Sequence, residues 1–157
     1  MPPLRRRRFL PNVLDLRIVA GAASGALPPQ RFGHIDAGLD GFNTFGAFRT
    51  LQENPYEGER YTALFWEHNF RTLPFEWIGQ EWLVKRGIGL ILHGGHGRTW
   101  ISDARLASLP YTPQYQDRFH HEIGISINAL LGILRLDFTG RLDAPGFFVG
   151  LGIARLF

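Results

Sequence analysis

Phe119-His120-His121-Glu122-Ile123-Gly124-Ile125-Ser126-Ile127-Asn128 places Phe119, His121, Ile123, Ile125 and Ile127 on odd positions and His120, Glu122, Gly124, Ser126 and Asn128 on even ones. That period of two belongs to a β-strand with two chemically different faces. The next run inverts the parity: Leu134, Leu136, Phe138 and Leu142 share one face, and Arg135, Asp137, Thr139 and Arg141 share the other. A third run sets Phe147, Val149, Leu151, Ile153 and Phe157 against Gly146, Gly150, Gly152 and Ala154, with Phe148 and Leu156 breaking the pattern. Three consecutive strands therefore carry one apolar face and one polar or glycine-rich face.

A soluble β-sandwich and a membrane barrel both produce such a pattern. The open face of a soluble sheet favours Lys, Glu and Thr, whereas this one mixes Arg, Asp, Glu, His and Asn with many glycines, a mixture that suits a barrel lumen. Each run is about ten residues long, and at roughly 3.3 Å per residue and a tilt near 45° it spans an apolar band of about 25 Å. The reading is all-β: an antiparallel transmembrane β-barrel, of which this chain holds about six C-terminal strands, a partial barrel. The alternative is a small soluble β-sandwich or calycin-like barrel that binds an apolar ligand.

Composition narrows the field. A chain of 157 residues with 45% hydrophobic content has room for one domain. It contains no apolar run of about 18 residues, which excludes a helical membrane span but not a barrel, whose signal is weak in each strand. Nineteen Gly, thirteen Phe and four Trp lean toward β-structure with aromatic girdles. The absence of Cys says only that no disulfide holds the fold. Much of the net charge of +3 comes from Arg5 to Arg8, so it is no argument for nucleic-acid binding. Met1 to Arg8 has a basic start without an apolar region behind it, unlike a secretory signal peptide. The expectation is a basic tail over 1–12 and a barrel segment over 13–157 that ends a longer protein.

Taken in order, Leu14, Leu16, Ile18, Ala20 and Ala22 alternate with Asp15, Arg17, Val19 and Gly21, giving a first strand from Val13 to Ala23. Residues 24–58 form a long connection without sustained periodicity. Its aromatics (Phe32, Phe42, Phe45, Phe48, Tyr56) argue for an ordered loop that packs on or into something. A second strand is expected from Arg60 to Phe70, with Leu64, Trp66 and Phe70 on one face and Ala63, Phe65, Glu67 and Asn69 on the other. Leu73 to Ile78 holds a Pro and suits a short helical turn, and Trp77 and Trp82 suit a membrane interface and equally the cap of a small soluble core. A further run, Val84 to His93, reads as a strand, and residues 94–116 read as a loop punctuated by Gly94-Gly95, Pro110 and Pro113.

These segments carry a family resemblance. Leu16 to Gly21, Gly25 to Pro28, Phe45 to Leu51 and Gly58 to Phe70 resemble, in that order, the C-terminal barrel half of the bacterial surface antigen superfamily, which includes outer-membrane assembly and two-partner secretion barrels. Glu122 to Ser126 and Leu134 to Phe138 resemble the endings of envelope proteins that join a carboxypeptidase-regulatory-like domain to such a barrel. In that family a long loop folds back into the lumen, and an Arg at its tip contacts an acidic residue on the inner wall. The resemblance implies that residues 24–58 are this loop and that Arg49 is its anchor, although Thr50 stands where the family has glycine. Gly152 and the terminal Phe157 resemble the signal read by the barrel assembly machinery, with Arg155 where an aromatic or aliphatic residue is usual. The implied location is the outer membrane of a Gram-negative bacterium, and the implied partners are outer-membrane lipid, that machinery and missing upstream strands.

By parity Asp15, Arg17, Glu67, Lys85, Glu122, Arg135, Asp137 and Arg141 project to the polar face. They either guide a substrate through a lumen or fill a narrow interior with cross-strand pairs, each contributing about 0.2–1 kcal/mol. The six His suggest a metal site, but neighbours such as His120 and His121 point to opposite faces, and His93 and His96 differ in parity. Ser126, Asp137 and His68 lack the strand-turn-helix context of a nucleophile elbow. No cofactor, metal site or catalytic residue is expected, and no enzymatic activity.

Overall fold

A computed structural model describes residues 12–25, 28–38, 44–52, 54–129 and 134–153. In chain order the elements are β1 (Val13–Ala22), a 3-10 turn (Pro29–Arg31), β2 (Gly33–Ile35), β3 (Ala37–Gly38), β4 (Phe48–Gln52), β5 (Tyr56–Gly58) and β6 (Arg60–Arg71). There follow α1 (Leu73–Trp77), α2 (Glu81–Lys85), β7 (Gly89–Trp100), α3 (Asp103–Leu106), β8 (His120–Ala129), β9 (Leu134–Arg141) and β10 (Phe147–Ile153). Six of the strands make one sheet in the order β1-β6-β7-β8-β9-β10, with every neighbouring pair antiparallel. Among the described residues this sheet does not close on itself: β1 and β10 are its edges.

The register separates the chemistry of the two faces. One face carries rows such as Leu14, His68, Leu92, Ile125, Phe138 and Val149, and beside it Leu16, Trp66, Gly94, Ile123, Gly140 and Phe147. The other carries Asp15, Glu67, His93, Gly124, Thr139 and Phe148 in one row, with Ser126 and Asp137 in the next. Burial is distributed against the usual rule. Leu16 is 61% exposed, Ile18 74% and Leu151 60%, whereas Glu122 is 1% exposed and Asp137 0%. Leu136 lies on the apolar side while Arg135 and Asp137 point to the buried side, as the alternation in this stretch requires.

The buried face is covered by the segment between β1 and β6. There β2 pairs with β5, and β3 runs parallel to β4. Ile35, Phe48, Leu51 and Tyr56 from this segment meet Ala63 and Phe65 of the sheet in a small apolar core. Phe48 is fully buried and lies over β7, where glycines make room for it. A Cβ at Gly97 would come within 2.8 Å of the Phe48 ring, and one at Gly95 within 3.0 Å. On the opposite face Gly94 makes the same allowance for the Trp66 indole, with 2.7 Å to a hypothetical Cβ.

These glycines correct the expected boundaries. The run from Gly94 onward is strand, not loop, because Gly95 and Gly97 form the floor under one aromatic and Gly94 lies against another. The expected strand start at Val84 is helix α2, held between Gly79 (φ 72°) and Gly87 (φ 66°), whose left-handed backbones glycine adopts without a Cβ clash. Lys85 accordingly does not join the polar face; it is exposed on α2 and paired with Glu81 at 3.2 Å. Over the described residues the other expected strands hold within a residue or so, the expected continuation of the last one to Phe157 lying outside them, and α1 forms where the Pro-containing turn was expected. The segments 23–59, 101–119 and 142–146 all connect strands at one end of the sheet, here called the loop end.

Gly97→Val should drive the Phe48 ring off the sheet, at a cost of about 1–3 kcal/mol, and expose the 44–58 segment to limited proteolysis. Gly140→Ala is the control: no atom lies within 4 Å of its hypothetical Cβ, and stability should change by no more than about 0.5 kcal/mol.

Candidate functional site

Burial of the polar face removes its charges from water, so each needs a partner. Arg49, at the second position of β4, donates from Nη2 to Glu67 on β6. Glu67 also receives both terminal nitrogens of Arg135 on β9, at 2.9 and 2.8 Å, a bidentate pair that crosses β7 and β8. Arg135 in turn donates through Nε to Asp137 at 2.6 Å and through Nη2 to Ser126 at 2.9 Å. Two guanidinium groups thus face the carboxylates of Glu67 and Asp137, and the formal charges of these four side chains balance. Burial pushes the Arg49 guanidinium down from its ordinary value and the nearby Arg135 adds to this, while Glu67 and Asp137 oppose the shift.

Toward the loop end Glu122 holds the same segment by its backbone. Its two carboxylate oxygens accept the N–H groups of Arg49 and Thr50, each at 3.0 Å, and the Thr50 hydroxyl at 2.8 Å. With its proton given to Glu122, the Thr50 hydroxyl accepts from Nε2 of His120 at 3.0 Å, which leaves Nδ1 to accept from the Tyr56 hydroxyl at 3.0 Å. The His120 ring lies 4.1 Å from that of Phe48. Phe48, Arg49 and Thr50 are therefore each gripped by a different part of the sheet.

Ser126 donates to Asp137, so the contact between Ser126 and His93 Nδ1 at 3.0 Å must have the imidazole as donor. His93 Nε2 then accepts from Thr139 at 2.9 Å. In a nucleophilic relay the serine proton points at the histidine; here it points at the aspartate. His68, the third residue weighed for a triad, lies on the opposite face beside Phe70, with ring centroids 4.0 Å apart.

The residues expected on the polar face divide as follows. Glu67, Glu122, Arg135 and Asp137 converge on the 48–50 segment. Arg141 lies opposite Glu122 in register and pairs with Asp143 at 2.7 Å. Asp15 sits on the edge strand opposite Glu67, and Arg17 reaches the carbonyl of Phe45 at 3.1 Å. Arg31 and Asp36, in the long connection, are exposed. Gly152 lies in β10, and Phe157 and the basic tail through residue 11 fall outside the described residues. His93, Ser126, Thr139, His120, Thr50 and Tyr56 were not singled out for this network; the even parity of His120 and Ser126 beside Glu122 was the available signal. Among the described residues no group of three or more His, Cys, Asp or Glu side chains is placed to hold a metal. No known protein family, curated protein or solved structure matches the chain.

Arg49→Ala leaves Glu67 with one cation and opens a void beside it. Breaking one partner out of a buried pair costs about 3–5 kcal/mol, so the variant should show early cleavage within 44–58 and a lower Tm. A second tie is titratable. Tyr111 donates to Glu57 at 2.6 Å, and this hydrogen bond, with some burial, pushes its phenol up to about 12. Because the folded value is the raised one, the link is intact below the ordinary tyrosine range near ~10 and is lost as pH rises through about 12. A tyrosinate absorbance titration should show Tyr111 ionising late alongside Tyr56, which burial also pushes up, and Tyr111→Phe should remove one of the late-ionising phenols.

Proposed function

We propose that the chain forms the closing part of an outer-membrane β-barrel of the surface-antigen type, with no enzymatic activity of its own. The apolar face meets lipid, and the 24–58 segment folds into the lumen as a strut held by Arg49 and Glu122. The observation that carries this reading is the inverted burial. A sheet that leaves Leu16, Ile18, Val149 and Leu151 open while enclosing Glu67, Glu122, Arg135 and Asp137 has its solvents reversed relative to a water-soluble domain. A calycin-like pocket for an apolar ligand would need apolar lining where these charges stand.

Two unpaired edges support the same reading. In hydrocarbon each unsatisfied backbone group costs several kcal/mol, so β1 and β10 require partner strands, which upstream parts of a longer protein would supply. The resemblance implies the rest: residence in the outer membrane of a Gram-negative bacterium, recognition of the last strand by the barrel assembly machinery, and a parent protein that assembles, secretes or transports envelope components.

Ile125→Arg is the discriminating variant, since Ile125 stands midway along β8 on the apolar face. Facing lipid, the arginine costs about 2–4 kcal/mol, and the full-length protein should fail to accumulate as a folded, carbonate-resistant membrane species. Facing water, it would change stability by no more than about 0.5 kcal/mol. A chain that stays monodisperse in buffer without detergent and tolerates Ile125→Arg would overturn the barrel.

A further inference from the structure

At the loop end the outward face changes character. Beyond the row of Ile18, Leu64, His96 and His121, the next outward positions on β6 and β7 are Thr62 opposite Arg98 and then Arg60 opposite Trp100. Neither Arg60 nor Arg98 makes an ion pair among the described residues. Nearby carboxylates are already engaged. Glu59 accepts from the backbone and hydroxyl of Ser102 at 3.1 and 3.2 Å and lies 3.9 Å from Arg105, while Glu57 accepts from Tyr111. The Arg98 guanidinium stands 4.6 Å from the centroid of the Trp100 ring, which fixes its position over the strand. Its Nε is shielded from solvent yet meets no acceptor among the described residues.

We propose that Arg60, Thr62, Arg98 and Trp100 form a binding site for the phosphate of a membrane lipid headgroup. Four features favour that occupant over a protein. The patch continues without a break from the apolar face, so a lipid whose chains lie along Leu64 and Ile18 presents its headgroup at this height. Two unpaired cations that stand diagonally across adjacent strands, their backbones about 7–8 Å apart and their side chains long enough to converge, match an anion with several acceptor oxygens. A planar guanidinium and the Thr62 hydroxyl supply donors of the kind phosphate oxygens accept. Trp100 supplies the amphipathic ring that favours the boundary between chains and headgroups.

The proposal rests on the barrel reading, and its test separates the two. The full-length protein, upstream strands included, is folded into a non-ionic detergent and titrated with diphosphoryl lipid A, with the dephosphorylated lipid and with inorganic phosphate, and binding is read from the shift in Tm. The diphosphoryl lipid should bind roughly 10- to 30-fold more weakly to the R60Q/R98Q double variant, the loss of two cations at a charged membrane surface. The dephosphorylated lipid should bind both proteins alike, and phosphate alone should shift neither. R60K/R98K, which keeps the charge, should recover most of the affinity and shows that the site rather than the fold was lost. Equal binding of the diphosphoryl lipid to wild type and R60Q/R98Q overturns the proposal, as does a wild-type response to phosphate alone or a lysine variant no better than the glutamine one. Failure of the wild type to associate with neutral phosphatidylcholine vesicles overturns the barrel, and this site with it.

Discussion

A carboxylate withdrawn from water must be met by donors that cannot leave, and Glu122 is met by two backbone N–H groups and a hydroxyl from one short stretch of β4. That contact brings Phe48 over the glycines of β7 and Arg49 within reach of Glu67. The network on the far side then follows, because Arg135 and Arg49 share Glu67 and Asp137 balances the second cation. Without the 48–50 segment the inner face would present Glu67, Glu122 and Asp137 to whatever filled the space instead. The segment is thus an internal counterpart of the sheet, supplying an aromatic, a cation and amide donors where the sheet supplies glycines and carboxylates.

The same contact explains why the apolar face is left open. The segment between β1 and β6 can cover only one side, and chemistry assigns it to the side with charges to satisfy. The other side has apolar rows at two-residue spacing and nothing from the described chain packed over them. Buried charge networks are weak evidence of stability. Their value here is positional, since each ion pair is satisfied at one register of four strands.

The six-strand arrangement was legible because alternation survives wherever the two faces meet different surroundings, as in Ile123, Ile125 and Ile127 against Glu122, Gly124 and Ser126. The boundary of β7 was not. Glycine reads as turn in a sequence, and only the Phe48 and Trp66 rings explain why three glycines stand inside a strand. Lys85 was misplaced for a related reason: Val84, Arg86 and Ile88 alternate by coincidence over a helix and turn too short to show a 3.6-residue period. Arg49 was singled out only through the resemblance to a family loop with an arginine at its tip, and its bond to Glu67, and the sharing of Glu67 with Arg135, depend on contacts between distant strands. His93 was unreadable as a hydrogen-bond donor to Ser126, because its tautomer depends on where the Ser126 proton goes, and that is decided by Asp137.

The spacing of Glu122 within β8 bears on how the sheet is assembled. Successive residues of a strand point to opposite faces, so a slip of one position would offer Ile123 in place of Glu122 to the amides of Arg49 and Thr50. The 73 positions that separate Arg49 from Glu122 make this a contact of long sequence range with a correspondingly large closure cost. A mispaired sheet would find no seat for the segment, while a correctly paired one is locked by it. The strut therefore acts as a gauge of register as well as a filling, admitting one alignment of the strands and leaving the others unsealed.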